Sequence, residues 1–107
     1  MKILALLLPL LGLVAADTLT LDFHSGQSCS DAPFQSFTIG VLDSCHNTAQ
    51  EFNAVFEHDI AQSFFGRDLR VFAFRDQNCQ GPFSELILSN GLCGIQEGRS
   101  FKVATKV

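Results

Sequence analysis

Three histidines and four cysteines are the side chains of this 107-residue chain that are best suited to catalysis or metal binding. His24, His46 and His58 have no second histidine or cysteine at a metal-binding spacing such as Cys-x-x-Cys or His-x-x-x-His. Each of the three is adequately explained as a histidine in a turn or on the protein surface. We therefore expect no metal site and no cofactor.

The adjacent residues Glu57 and His58 support a sharper enzyme hypothesis. A small secreted ribonuclease needs a general base, a general acid and a phosphate-binding cation close together. Arg67, Arg70 or Arg75 would supply the cation. The net charge of −4, however, provides no basic footprint for nucleic acid. The sequence therefore predicts a non-enzymatic protein with no catalytic residues and no nucleic-acid partner.

The N-terminus predicts export. Lys2 precedes an apolar run, Ile3 to Ala16, that ends in small residues before Asp17. A charged start, a short apolar run and a small-residue cleavage site are typical of a secretory signal peptide. The run is shorter than the roughly 20 residues that span a membrane. We predict a signal peptide at 1–16, one secreted, extracellular domain at 17–107 and no transmembrane segment.

Alternating apolar residues predict β-strands along most of the secreted part. The predicted strands cover 18–23, 34–42, 69–74, 83–88 and 101–107. Residues Phe37, Ile39 and Val41 are expected on the inner face of their strand. The strand at 69–74 is apolar on both faces apart from Arg70, which is typical of a central strand. The last strand, with its lysines outward, is expected at a sheet edge.

Residues 48–65 fit two structures. The alternation at 52–57 indicates a strand, whereas Thr48 to Glu51 fits a capping box and the following apolar residues have helical spacing up to Gly66. An α+β fold with a central helix at about 48–65 therefore remains an alternative to an all-β fold.

The second half of the chain repeats landmarks of the first in the same order. The matches are Cys29 with Cys79, Pro33-Phe34 with Pro82-Phe83, Phe37 with Leu86, Cys45 with Cys93, and 52–55 with 101–104. A repeat of this length predicts two four-stranded units, at about 18–57 and 69–107, packed face to face.

The repeat also proposes how the cysteines pair. Four cysteines allow three connectivities, and equivalent cysteines should behave equivalently. This favours Cys29–Cys45 with Cys79–Cys93, one disulfide in each unit. The nested alternative, Cys29–Cys93 with Cys45–Cys79, would join the two halves.

The residues around the second predicted hairpin resemble a known motif. Phe74, six further residues and Gly81 resemble the Greek-key motif of the βγ-crystallin superfamily, in which the glycine allows a positive φ. The run from Phe74 through Asp76, Cys79 and Gly81 also resembles small secreted cysteine-rich proteins of fungi, some of which are toxins or effectors. The resemblance implies an all-β fold of two four-stranded Greek-key units in a βγ-crystallin-like sandwich with two disulfides.

The chain departs from the superfamily pattern in three ways. Leu86 stands where the motif has a serine, and Asp31 stands where the first-half motif has its glycine. The acidic pairs that hold calcium in that superfamily are missing near Asp43 and Asn90. No calcium site is therefore implied.

The expected function is a secreted, non-enzymatic binding protein, effector-like or antimicrobial, that acts on a host or a competing organism. The expected partner is an extracellular protein or cell-surface target, and the chain is expected to be a monomer. A protease inhibitor and a cell-wall or structural protein are the alternatives. The candidate binding turn consists of Asp76, Gln77, Asn78, Gln80, Gly81 and Phe83, because a disulfide-braced turn is preorganised for docking.

Overall fold

The computed structural model describes residues 17–106, so the predicted signal peptide at 1–16 lies outside the described residues. This part of the chain forms eight β-strands and one short 3₁₀ turn, Gln62–Phe64. The strands are β1 (Leu19–His24), β2 (Gln35–Ile39), β3 (His46–Phe52), β4 (Ala54–His58), β5 (Leu69–Asp76), β6 (Gln80–Ile87), β7 (Leu92–Gly94) and β8 (Gly98–Thr105). Between residues 17 and 106, no helix is long and apolar enough to cross a membrane.

The alternative with a central helix at about 48–65 is wrong, because this segment contains β3 and β4. Thr48, the expected helix cap, is buried and donates its hydroxyl to the carbonyl of Gln50 at 2.7 Å. Between the two strands, the backbone N–H of Asn53 donates to the carbonyl of His24. Pairing with other strands and burial of Phe52 in the core therefore override the local helix signal.

The strands form two four-stranded antiparallel sheets. The first sheet has the order β2-β1-β4-β7 and the second sheet has the order β3-β8-β5-β6. The third strand of each half of the chain, β3 or β7, thus lies in the sheet of the other half. Strand β8 lies between β3 and β5, so the expected edge position of the last strand is wrong.

The core contains alternate residues of both sheets, and phenylalanine fills its centre. The ring of Phe23 lies 4.7 Å from that of Phe52 and 4.6 Å from that of Phe101, centroid to centroid. Phe37 is partly buried against this core, as its predicted inner position requires, and Ile39 is buried. Val41 is 72% exposed, contrary to prediction, because β2 ends at Ile39.

The strand registers show where the two halves correspond. Leu21 on β1 pairs with Phe37, and Val71 on β5 pairs with Leu86, so Phe37 corresponds to Leu86 as predicted. On the other side, Leu21 pairs with Glu57 and Val71 pairs with Val103. Glu57 therefore occupies the position of an apolar core residue. The predicted match of 52–55 with 101–104 is wrong by this register.

The predicted disulfide pairing is also wrong. Cys29 is joined to Cys93 and Cys45 to Cys79, the nested pattern. The two bonds are nevertheless equivalent. Cys29–Cys93 joins the β1–β2 connection to β7, and Cys45–Cys79 joins the residue just before β3 to the β5–β6 connection. The bonds span 64 and 34 residues. Each contributes about 4 kcal/mol in the chain-entropy treatment.

Free-thiol measurements on paired substitutions test this connectivity. Replacing Cys29 and Cys93 by serine should leave no free thiol, because Cys45 and Cys79 still bond to each other. Replacing Cys29 and Cys45 should leave both remaining thiols free. The opposite pattern would restore the pairing within each half.

Candidate functional site

An apolar groove crosses the outer face of the second sheet. Phe72 and Phe74 alternate along β5 with core residues, so they point away from the shared core. Both are about nine-tenths buried, as is Ala104 on β8. Phe83 on β6 packs against the two rings, at centroid distances of 5.7 and 5.5 Å, and is itself 56% exposed. Outer faces of packed sheets are normally polar, so this cluster is a feature beyond the needs of the core.

Charged side chains surround the apolar floor in two ion pairs. Nζ of Lys102 lies 3.3 Å from a carboxylate oxygen of Asp43, and Nζ of Lys106 lies 3.8 Å from one of Glu85. The groove encloses about 600 Å³. Its remaining wall contains Leu42. The arrangement suits a ligand with an apolar body and charged groups at its margins.

The predicted binding turn forms the tip of the β5–β6 hairpin. Asp76 ends β5 and Gln80 begins β6, so Phe83 belongs to the strand and the groove rather than to the tip. Gly81 has the positive φ, 82°, that the resemblance implies. A β-carbon at Gly81 would lie 2.6 Å from Oδ2 of Asp76.

The tip is braced by side chains of other strands. The backbone N–H of Asn78 donates to Oδ1 of Asn47 at 2.7 Å, and Nδ2 of Asn47 donates to Oδ1 of Asn78 at 3.0 Å. Oγ of Ser100 accepts from the N–H of Cys79 and donates to the carbonyl of Asp76. With the Cys45–Cys79 disulfide, these bonds hold a tip whose Asn78 and Cys79 both have positive φ. Whether the tip binds a partner stays a prediction.

Glu57 and His58 do not form one site. The Glu57 side chain is 0% exposed and points into the core, whereas the adjacent His58 is on the outer face of the first sheet. Burial raises the pKa of Glu57 to about 8, and a hydrogen bond from the backbone N–H of Ser89 to Oε1, 2.7 Å long, opposes that shift. No group within residues 17–106 pairs with Oε2.

His58 lies between two carboxylates. Its Nε2 is 2.9 Å from Oδ2 of Asp22 and its Nδ1 is 3.1 Å from Oδ2 of Asp59. The interaction with Asp22, followed by that with Asp59, raises the pKa of His58 above its ordinary value, although partial burial opposes the shift. Ser36 donates its hydroxyl proton to Asp22 rather than to His58, so these residues lack the order of a serine nucleophile and its base.

The arginines considered with Glu57 and His58 are dispersed. Arg75 pairs with Glu97, and Nη2 of Arg70 donates to Oδ1 of Asp68. The guanidinium of Arg67 lies over the ring of Phe64.

The remaining histidines also lie in structural settings. His24 is buried and His46 stacks on Phe101. Residues 17–106 contain no cluster of three or more histidine, cysteine, aspartate or glutamate side chains that could hold a metal ion.

The groove was not predicted, although one sequence signal pointed to it. The strand at 69–74 is apolar on both faces, a pattern that is typical of a central strand and also of an apolar outer face. Strand β5 does lie inside its sheet, but Phe72 and Phe74 fill its outer side.

Comparison of the chain with protein-family models, curated proteins and solved structures finds no match. What the groove and the tip bind is therefore inferred from their own geometry.

The contact between Asp22 and His58 has a testable pH dependence. Because the folded-state pKa of His58 is raised, the contact stabilises the fold below the ordinary pKa of 6.5. This contribution is lost as the pH rises through the raised value. We expect Asp22→Asn to lower the pKa of His58 in an NMR titration and to reduce stability at acidic pH by up to about 1 kcal/mol. Asp31→Asn, in an exposed loop, is the control, and an unchanged His58 titration in Asp22→Asn would contradict this account.

Proposed function

We propose that this protein is a secreted, non-enzymatic binding protein that recognises an extracellular partner through the groove on its second sheet. The observation that supports this function is the apolar groove with a paired charged rim, on a face that the core does not require to be apolar. The proposed setting is effector-like or antimicrobial action on a host or a competing organism.

The size and composition of the groove support binding. Its volume of about 600 Å³ lies within the range of ligand pockets. Aromatic side chains near the centre of an interface commonly dominate its binding energy. Phe83 is the exposed member of the aromatic cluster and lies against both Phe72 and Phe74. We therefore assign Phe83 as the anchor that meets the partner.

The ion pairs at the margin of the groove favour a partner that carries both positive and negative charges. Exposed ion pairs such as Lys106 with Glu85 contribute little net stability, so their members can exchange partners at low cost. Complementary charges at a rim improve specificity and association rate more than affinity. A peptide segment with a large apolar side chain between an acidic and a basic residue has this chemistry.

Secretion is proposed on two grounds. The segment at 1–16 has the sequence pattern of a signal peptide. The two disulfides are typical of small domains that fold in an oxidising compartment. The monomeric state stays a prediction.

We also propose that the fold is the paired Greek-key arrangement that the resemblance to βγ-crystallins implies. The strand orders β4-β1-β2 and β8-β5-β6 support this, because a Greek key places its fourth strand beside its first. The positive φ of Gly81 at the second hairpin adds support. Asp31, in the first half, is not among the residues with positive φ, so only one hairpin carries this feature.

A second candidate function, protease inhibition, is favoured by the braced hairpin tip. Rigid exposed turns bind with a small entropy cost, because they lose little conformational freedom on docking. This turn is held to the neighbouring strand by the hydrogen bonds between Asn47 and Asn78 and by the disulfide at Cys79. Assays against serine proteases and metalloproteases separate the two functions, since Gln77→Ala should weaken inhibition and Phe83→Ala should weaken groove binding.

The groove is tested by a matched pair of substitutions. Phe83→Ala should raise the dose of purified protein needed for a response in host tissue or competing microbes by at least about tenfold, as loss of an interface anchor does. Ile87→Ala removes a side chain of similar exposure, 54%, outside the groove and should leave the dose unchanged. Circular dichroism should show both variants folded. A fully active Phe83→Ala protein, or a wild-type protein without any response, would contradict the proposal.

A further inference from the structure

The connection between β6 and β7 is held against β4 by three hydrogen bonds. The N–H of Ser89 donates to Oε1 of Glu57 at 2.7 Å, and the N–H of Gly91 donates to the carbonyl of Glu57 at 2.7 Å. The N–H of Ile60, just beyond β4, donates to Oδ1 of Asn90 at 2.9 Å. We name residues 88–91 the crossover turn, because β6 belongs to the second sheet and β7 to the first.

The crossover turn closes an apolar region at one end of the sandwich. Leu88 is buried in the core cluster. With Phe64 and Leu69 it also lines a cavity of about 380 Å³ beside the connection that follows the 3₁₀ turn. Movement of the crossover turn would therefore expose apolar residues of the core.

Within residues 17–106, no charged group lies close enough to Glu57 to compensate its ionisation. Leu21 on β1 and Leu92 on β7 are its cross-strand partners. The residues that β5 and β8 direct into this core, such as Val71 and Val103, cannot titrate. The titratable groups nearest in the sheet, including His58 and Asp22, form their own contact on the opposite face. Only burial and the Ser89 N–H affect its pKa appreciably.

We propose that Glu57 is a pH-operated latch, which holds the crossover turn closed while its carboxyl group is neutral and releases the turn when that group loses its proton to solvent.

The unequal partners of the two carboxyl oxygens support the latch. In the neutral form Oε1 accepts from Ser89 and the proton resides on Oε2, which has no partner within residues 17–106. Loss of the proton strengthens the bond from Ser89 but leaves a charge among apolar side chains, which is costly until water or a cation reaches it. The cost of burial is the larger of the two effects, since it outweighs the Ser89 bond in setting the pKa of Glu57. The crossover turn contacts Glu57 directly and is held here by hydrogen bonds rather than by strand pairing, so it is the element that we expect to admit water.

The direction of the pH dependence follows from the raised pKa of Glu57, which moves from 4.5 to about 8. A group that binds its proton more tightly in the folded state stabilises the fold at low pH and loses that contribution as the pH rises. The closed state is therefore favoured at acidic and neutral pH, and opening is expected in mildly alkaline solution. This inference is independent of what binds in the groove.

NMR-detected hydrogen exchange of the intact protein between about pH 5.5 and about 9.5 tests the latch. The amides of Ser89 and Gly91 should titrate with one midpoint near the pKa of Glu57, about 8. By the same linkage, their protection factors should fall by at least about tenfold in total as the pH rises from about 5.5 towards about 8, and should level off above it. Glu57→Gln should keep them protected throughout, whereas Glu51→Gln, at an exposed position, should behave as the wild type does.

Two results would overturn the latch. Amide shifts without any loss of protection would mean that Glu57 ionises inside a closed turn. Equal loss of protection in Glu57→Gln would mean that another group opens it. Should Glu57→Gln fail to fold, Asp22→Asn decides, because it lowers the pKa of His58 and leaves the surroundings of Glu57 unchanged. A loss of protection that keeps its pH dependence in Asp22→Asn supports the latch, and one that shifts with the titration of His58 overturns it.

Discussion

The exchange of third strands between the two halves is the constraint on which the rest of this structure depends. Strand β3 leaves the first half to pair with β8, and β7 leaves the second half to pair with β4. Neither sheet is complete without a strand from the other half. The disulfides Cys29–Cys93 and Cys45–Cys79 tie each exchanged segment to a hairpin connection of its new sheet. The two halves therefore share one core, and neither can bury its apolar face alone.

The candidate sites are products of the same exchange. Asn47 reaches the hairpin tip because β3 lies in the second sheet. Asp43, in the segment that leads into β3, forms a wall of the groove, where its backbone N–H donates to the carbonyl of Val103. Glu57 meets Ser89 where the chain crosses from β6 to β7. The candidate groove, the braced tip and the buried Glu57 thus all lie where the halves interlock.

Local patterns in the sequence predicted most of the strands, β3 and β7 excepted, but not their partners. Alternation at Leu19, Leu21 and Phe23 follows from a half-buried strand, and β1 confirms it. Strand β3 is mostly polar and exposed at the edge of its sheet, so its sequence resembled a helix start at Thr48. The cysteine prediction was wrong because internal symmetry is satisfied by either pairing, and only the exchange of strands distinguishes them. The apolar residues Phe72 and Phe74 indicate a second apolar face on their strand, but a strand in the middle of a sheet has the same apolar pattern.

Nuclear Overhauser effects across β7 test the strand exchange most directly. The account predicts contacts of backbone amide and α protons between Val55 and Gly94 and between Phe56 and Cys93, together with contacts between His46 and Phe101 on β3 and β8. Contacts of β7 with β6 instead of β4 would mean that each half keeps its own third strand. That result would contradict the shared core and, with it, the placement of the groove wall, the tip brace and the latch.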